Sequence, residues 1–87
     1  MFKPKTKQFK SSEGNEYTLQ TVLPSVWARI LDQISDKNGK LLNEKAIPAA
    51  LENIVVQPQG LKMDDFDSWT ELEEVSQAAI LFQHRGK

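Results

Sequence analysis

The chain has 87 residues, of which 39% are hydrophobic and 26% are charged, and its formal net charge is -1. This length suits one small domain, and the composition excludes a wholly disordered or low-complexity chain. A charge so near zero provides no long-range attraction to nucleic acid or to an anionic membrane. Cysteine is absent and histidine occurs once, which excludes disulfides, thiolate metal sites and a cysteine nucleophile and argues against a histidine metal site.

The apolar runs are short. The longest covers residues 78–82, whereas a helix that spans a bilayer needs ~20 apolar residues and a secretory signal needs ~7–15. We therefore expect a cytoplasmic protein without membrane contact. A single domain over residues 1–87 is predicted, with residues 1–4 and 84–87 flexible. Because the core of such a domain is small, a homo-oligomer is a reasonable expectation.

Residues 5–22 are predicted to form a β-hairpin. Phe9, Tyr17 and Leu19 alternate with polar residues, and turn-forming residues occupy positions 11–15. The first strand carries lysines without neighbouring acids, which is typical of an edge strand that resists pairing with other chains. Two strands alone are marginally stable, so the hairpin is expected to pack against helices.

The first helix is predicted to begin at Pro24, because proline suits the first turn of a helix. Apolar residues then recur at spacings of three and four, and they are Val26, Trp27, Ile30, Leu31 and Ile34. The helix is expected to stop at residues 36–39, where Gly39 can adopt the left-handed conformation that ends helices.

A second helix is predicted from Asn43, which is a candidate N-cap. Pro48 implies either that the regular part begins near Ile47 or that the helix is kinked at the proline. Helical spacing of apolar residues continues to Val55, and residues 57–60 close the helix. In the alternative interpretation, Val55 and Val56 begin a short strand.

The third helix is predicted to follow Ser68, because Ser68 and Glu71 have the spacing of a capping box. Its apolar stripe consists of Trp69, Leu72, Val75, Ala79 and Phe82, and Ile80 and Leu81 widen it. The predicted architecture is therefore a small α+β domain, with an N-terminal β-hairpin followed by three amphipathic α-helices.

The sequence contains no recognisable catalytic arrangement. His84 lies in a polar C-terminal segment where no partner is fixed beside it. The acids of residues 64–74 lack the ligand spacing and the central glycine of a calcium-binding EF-hand, so they are assigned to helix capping and a solvated face. The glycines are too far apart for a P-loop or a dinucleotide fingerprint. We predict a non-enzymatic protein with no catalytic residue, cofactor or metal.

Charge is unevenly distributed along the chain. Residues 1–10 carry four lysines and no acid, whereas residues 64–74 carry six acids and no base. This asymmetry predicts charge-complementary self-association, in which one copy attracts the opposite end of another and a ring or filament forms. The alternative is that the two segments face each other within one molecule. The candidate residues are Lys3, Lys5, Lys7, Lys10, Asp64, Asp65 and Asp67.

The same lysines interleave with Phe2 and Phe9, a pattern that suits single-stranded nucleic acid. Four lysines are a small footprint for a phosphate backbone, so a protected edge strand is the preferred interpretation and nucleic-acid binding is not expected.

An apolar patch is the second candidate surface. Core packing explains the spacing of the large aromatic residues, which are Trp27, Phe66, Trp69 and Phe82. Off the main helical stripes lie Val56, Leu61, Met63 and Phe66, and these four form the predicted exposed patch.

Six short stretches carry a resemblance to a known family. In chain order they are Glu16-Tyr17-Thr18-Leu19-Gln20, Pro24, Arg29-Ile30-Leu31-Asp32, Asn53-Ile54-Val55-Val56-Gln57-Pro58, Asp64-Asp65-Phe66 and Leu72-Glu73-Glu74-Val75. Through them the chain resembles the small tail assembly chaperones of long-tailed phages and prophages of Gram-positive bacteria, over about residues 15–83. The asparagine-to-proline stretch and the Asp-Asp-Phe stretch are its most specific parts.

The resemblance implies a non-enzymatic assembly factor that acts in the cytoplasm of the host bacterium and is absent from the mature virion. Its implied partners are the tape measure protein, which such chaperones coat, and the tail tube protein, which they help to recruit. The resemblance assigns no role to an individual residue, although Val55, Val56 and Phe66 fall within matching stretches. Together with the predicted exposed patch, they give the candidate partner-binding residues Val55, Val56, Leu61, Met63 and Phe66. A small nucleic-acid-binding regulator that uses the basic N-terminal segment is the alternative function, and a small enzyme ranks last.

Overall fold

The structure is a computed structural model that describes residues 2–86. Its elements are β1 Thr6–Lys10, β2 Glu16–Gln20, α1 Pro24–Ile34, α2 Asn43–Asn53, β3 Val55–Gln57, a 3-10 turn Met63–Asp65, and α3 Trp69–Arg85. The predicted architecture of a hairpin followed by three helices is wrong, because β3 lies between α2 and α3 and completes a three-stranded antiparallel sheet of order β1-β2-β3. Met1 and Lys87, at the two ends predicted to be flexible, lie outside the described residues.

The third strand uses a sheet edge that the hairpin leaves open. In β2, Leu19 pairs with Val55, and the amide of Gln20 donates to the carbonyl of Ile54 over 2.8 Å. A register shift separates this pairing from the one between Thr18 and Gln57. Of the two interpretations of Val55, the last part of a helix or the start of a short strand, the strand is confirmed. A β-branched residue beside an unpaired strand gains ladder hydrogen bonds by extending.

The predicted hairpin is confirmed, with Phe9 opposite Tyr17. Its turn is closed by hydrogen bonds of 2.9 Å from the Ser11 amide to the Asn15 carbonyl and from the Gly14 amide to the Ser11 carbonyl. Gly14 has a φ of +88°, a left-handed conformation that glycine adopts without the steric cost a side chain brings. β1 lies at the sheet edge, as its lysines predict.

α1 begins at Pro24, as predicted, and ends at Ile34. The segment that follows is a tight loop rather than a glycine-terminated helix end. Oδ1 of Asp36 accepts hydrogen bonds from the amides of Asn38 and Lys40 at 2.8 and 2.9 Å, and Gly39 turns the loop with a φ of +81°. The side chain of Asp36 therefore closes the loop, because it accepts backbone hydrogen bonds in place of the carbonyls that a continuing helix would offer.

α2 begins earlier than Pro48 suggests. Its first residue is Asn43 and its N-cap position is occupied by Leu42, so Asn43 is not the cap and Ile47 is not the start. Pro48 is the sixth helical residue, and the hydrogen bond that it cannot donate would end on the carbonyl of Glu44. Because Glu44 is exposed, water can satisfy that carbonyl, which makes the proline tolerable.

α3 begins after Ser68, whose hydroxyl accepts a hydrogen bond of 3.2 Å from the Glu71 amide. The opposite end of the helix is tied to the strand-to-helix corner by Gln83. Its Oε1 accepts from the Val22 amide over 2.7 Å, and its Nε2 donates to the Val22 carbonyl over 3.0 Å. α3 therefore lies along the hairpin, with its first turns beside the hairpin turn and its last turn beside residue 22.

The core lies where the sheet meets α1, α2 and α3. Its largest completely buried side chains are Leu19, Leu51, Ile54 and Val75, and Trp27 and Phe82 belong to the same cluster, as predicted. Among residues 2–86, no helix combines the length and the apolar character needed to cross a bilayer.

Candidate functional site

The loop before α3 and one flank of α2 enclose an open groove of about 730 Å³. We call it the loop groove. α2 contributes Pro48 and Glu52, and the loop contributes Gln59, Gly60, Leu61, Lys62, Met63 and Asp64. Leu61 and Met63 are only half-buried, so the groove presents apolar surface between charged residues.

The 3-10 turn holds Met63 in place at this groove. Oδ2 of Asp65 accepts a hydrogen bond of 2.9 Å from the Lys62 amide, and the Phe66 amide donates to the Met63 carbonyl over 3.2 Å. Asp65 therefore stabilises its own turn, much as the sequence predicts for helix capping. The backbone around Met63 is fixed although its side chain remains partly exposed.

The structure separates the five predicted partner-binding residues. Val55 is 3% exposed and packs in the core, so it is unavailable to a partner. Val56, on the opposite face of the strand, is half-buried and does not line the loop groove. Leu61 and Met63 meet in the loop groove. Phe66 lies beside Met63 in a shallower cleft, with its ring stacked on that of Tyr17 at a centroid distance of 6.2 Å.

A second groove of about 310 Å³ runs between the N-terminal half of α2 and the length of α3. We call it the α2–α3 groove. Trp69 and Leu81 line it and are 55% and 51% exposed, so the prediction of both as part of the buried stripe is wrong. Trp69 lies about 100° around the helix from the buried face, at ~100° per residue.

The sequence contains one signal for this exposure. Residues 78–82 are five consecutive apolar residues. At ~100° per residue, such a run passes all the way round an α-helix, so some of its members must point away from the core. In the structure Ala79 and Phe82 are buried, whereas Leu81 faces outward.

A buried carboxylate joins the hairpin to α3. Glu71 is 4% exposed, which contradicts the prediction that it belongs to a solvated acidic face. Its Oε2 accepts hydrogen bonds from the Tyr17 hydroxyl at 2.6 Å and from Nδ2 of Asn15 at 3.1 Å. Within the described residues, Oε1 has no partner that meets hydrogen-bonding geometry. In the next turn, Glu74 accepts from the amide and hydroxyl of Ser12 at 3.0–3.2 Å.

These contacts shift the pKa values of Glu71 and Tyr17 in opposite directions. Burial raises the pKa of the Glu71 carboxyl, but hydrogen donation, first from Tyr17 and also from Asn15, outweighs it and leaves the pKa below its usual range. Burial, with the Glu71 carboxylate beside it, raises the pKa of the Tyr17 hydroxyl well above its ordinary value. Glu71 lines neither groove, so the network serves to hold the hairpin on α3.

Lys5 of the basic segment and the aspartates of the acidic segment lie at different ends of α3. Lys5 reaches the C-terminal end, where a Cβ placed on Gly86 would lie 2.9 Å from its Nζ. Asp64, Asp65 and Asp67 precede the N-terminal end, about 25 Å away along a helix of 17 residues. Lys5 therefore lies beside the negative end of the α3 dipole and away from the aspartates. Lys10, at the other end of β1, precedes the hairpin turn that is bonded to Glu74, so the basic segment runs along α3 instead of collecting at one end.

His84 lies in the last turn of α3, with its ring 5.8 Å from that of Trp27 in an edge-to-face arrangement. The indole nitrogen of Trp27 is buried without a hydrogen-bond partner in the described part of the chain. Within residues 2–86, no group of three or more His, Cys, Asp or Glu residues is arranged to hold a metal ion.

No protein-family model, no curated protein and no solved structure matches this chain.

Proposed function

We propose that this protein is a tail assembly chaperone of a long-tailed phage or prophage. It binds the tape measure protein in the host cytoplasm and helps to recruit tail tube subunits to it. The proposal derives from the sequence resemblance, and one structural observation supports it: the two most specific matching stretches flank the loop groove.

The first of these stretches ends at Pro58, one residue before the groove begins at Gln59. The second begins at Asp64, the last residue of the loop that lines the groove. The segment between them carries Leu61 and Met63. A surface of this kind suits an adaptor, because the matching residues shape a binding loop on a small folded scaffold.

The groove fits an amphipathic helix of the tape measure protein. Such a helix presents apolar residues at spacings of three and four, which Pro48, Leu61 and Met63 can cover. Methionine adapts to differently shaped apolar partners, which is useful against a long protein with many similar segments. The two acids of the lining, Glu52 and Asp64, outnumber its one base, Lys62, and so favour lysine or arginine beside that apolar stripe.

Co-expression tests the proposal. The protein, carrying a purification tag, is expressed with the longest reading frame encoded just downstream of its gene. We expect a soluble complex that co-purifies, whereas the long protein expressed alone is insoluble. A downstream protein that never associates with this chain would refute the proposal, and a nucleic-acid affinity that falls steeply with salt would then favour the regulator.

Two matched variants test the binding surface. The double change Leu61→Asp and Met63→Asp is expected to reduce recovery of the long protein about tenfold or more, because it places two charges in an apolar contact. The control is Leu23→Asp, since Leu23 is 44% exposed and lies outside the loop groove. Equal recovery with both variants would contradict the assignment of the loop groove.

A further inference from the structure

The face of α3 that lines the α2–α3 groove carries exposed apolar side chains toward both ends of the helix. Trp69 at the first turn and Leu81 near the last are each more than half exposed, and Ile80 beside Leu81 is half-buried. Between them the face carries Glu73 and Gln77. This surface is separate from the loop groove, so the proposed function does not account for it.

Charge along the same helix is polarised. Asp67 and Glu73 lie at the N-terminal end, whereas Arg85 lies in the last turn and Lys5 reaches the same end from β1. A helix with this polarity is complementary to a second copy of itself placed antiparallel, because each acidic end then meets a basic end.

We propose that α3 packs antiparallel against α3 of a second copy, with a two-fold axis near Gln77. Residue 77 is equidistant from positions 69 and 85, so Trp69 of one copy lies over the last turn of the other. There it can cover Leu81 and accept the guanidinium of Arg85 on its ring face. Gln77 meets its own copy at the axis, where one amide offers both the donor and the acceptor that self-pairing requires.

The available area suits a weak dimer. α3 has 17 residues and is therefore about 25 Å long, and a strip about 20 Å wide along it covers about 500 Å² per copy. The total of about 1,000 Å² reaches the lower limit for a specific interface. We therefore expect association at about 100 µM protein rather than an obligate dimer.

This arrangement differs from the ring or filament that the charge asymmetry alone predicts. An antiparallel pair uses the same patch on both copies and is complete with two subunits, whereas a heterologous contact adds further subunits until a ring closes or a filament grows. It is also independent of the tape measure interaction, which uses Leu61 and Met63, so either proposal can fail without the other.

Disulfide trapping tests the geometry directly, because the chain contains no cysteine of its own. Under mild oxidation, Gln77→Cys is expected to cross-link with itself, since residues at the axis approach within the ~4.4–6.8 Å between Cα atoms that a disulfide needs. Glu73→Cys alone and Leu81→Cys alone are each separated from their own copy by about 12 Å along the helix and are expected to remain monomeric. A mixture of the last two variants is expected to cross-link, because position 73 of one copy faces position 81 of the other.

Sedimentation provides the equilibrium readout. Leu81→Glu is expected to raise the dimer dissociation constant about tenfold or more, because it puts a charge into the contact. Leu23→Glu makes the same change at a leucine that is 44% exposed and outside α3, and it is expected to leave the dissociation constant within about twofold of the wild-type value. Higher salt is expected to weaken the dimer, since the paired ends are at the rim.

Three results would overturn the proposal. One is a wild-type protein that sediments as a monomer at about 1 mM. Another is equal weakening by Leu81→Glu and Leu23→Glu. The third is cross-linking of Glu73→Cys with itself as fast as Gln77→Cys, which would indicate a parallel pair. Far-ultraviolet circular dichroism of each variant establishes that it is folded before association is measured.

Discussion

Tyr17→Phe is the most informative single substitution in this fold. The change removes one oxygen atom and with it the hydrogen bond of 2.6 Å to the Glu71 carboxylate. Both residues are buried, at 7% and 4% exposure, so water cannot easily replace the lost donor. A hydrogen bond to a charged group contributes about 1.5–3 kcal/mol, and we expect Tyr17→Phe to reduce the free energy of unfolding by that amount at pH 7.

The loss of unfolding free energy should depend on pH, and the direction of that dependence follows from the pKa of Glu71. The folded-state pKa lies below the ordinary 4.5, so the ionised carboxylate stabilises the fold above pH 4.5 and that stability disappears as the pH falls through the folded pKa. Tyr17 is the strongest of the hydrogen-bond donors that lower this pKa. At acid pH both proteins carry a protonated Glu71, and the cost of Tyr17→Phe should fall to about 0.5–1.5 kcal/mol, the value of a neutral hydrogen bond.

Urea unfolding followed by tryptophan fluorescence, at several values from pH 7 to pH 2, measures both quantities. Thr18→Val is a matched control on the same strand, because it removes only an exposed hydrogen bond of 3.1 Å to Gln8. We expect the control to change stability by about 0.5 kcal/mol or less at every pH. A cost of Tyr17→Phe as small as that of the control, or one that is independent of pH, would refute the role assigned to the buried carboxylate.

Three further substitutions test the packing of α3 and α2 by the same unfolding assay. Gln83→Ala removes both hydrogen bonds to the Val22 backbone and should cost about 1–3 kcal/mol; a loss no larger than that of an exposed glutamine would contradict the clamp. Leu51→Ala leaves a cavity where a side chain that is 1% exposed packs, and it should reduce the unfolding free energy by about 2–5 kcal/mol; a smaller loss would contradict the tight packing of α2. Ser68→Ala removes the cap of α3 and should cost about 0.5–2 kcal/mol, whereas no change would show that another group caps the helix.

Exposed positions offer matched controls for these three changes. Gln33→Ala on α1 removes a glutamine that is exposed, and Leu23→Ala removes a leucine that is 44% exposed. Ser25→Ala removes an exposed serine in the first turn of α1, where it caps nothing. Each is expected to change the unfolding free energy by about 0.5 kcal/mol or less.

Features that depend on neighbouring residues were predictable from the sequence. Pro24 marks the start of α1 because its ring and its missing amide hydrogen suit a first helical turn. Ser68 marks the start of α3 because its hydroxyl is within reach of the backbone three residues later. The lysine-rich β1 was assigned to a sheet edge for a similarly local reason, the absence of acids beside it.

The candidate surfaces were only partly predictable. The pattern that puts Leu61 and Met63 off the helical stripes predicts exposed side chains, whereas in the structure both are half-buried, pack against the core and line the loop groove with their remaining surface. The sequence leaves Val55 open between the end of α2 and the start of a strand, because a three-residue strand contains too little periodicity to separate it from a preceding helix. Trp69 was misplaced because its spacing of three from Leu72 suggests a shared face, whereas it lies about 100° around the helix from the centre of the buried face.

The sequence by itself determined the hairpin, the starts of α1 and α3, and the absence of thiol chemistry, because each depends on residue types or on spacings of a few positions. The tertiary structure alone decided the third strand and the state of Glu71. Val55 pairs with Leu19 and Glu71 accepts from Tyr17, contacts that join residues 36 and 54 positions apart. Backbone pairing and the hydration of a carboxylate depend on which groups the fold brings together, so identical local patterns lead to a helix end or a strand, and to a solvated or a buried acid.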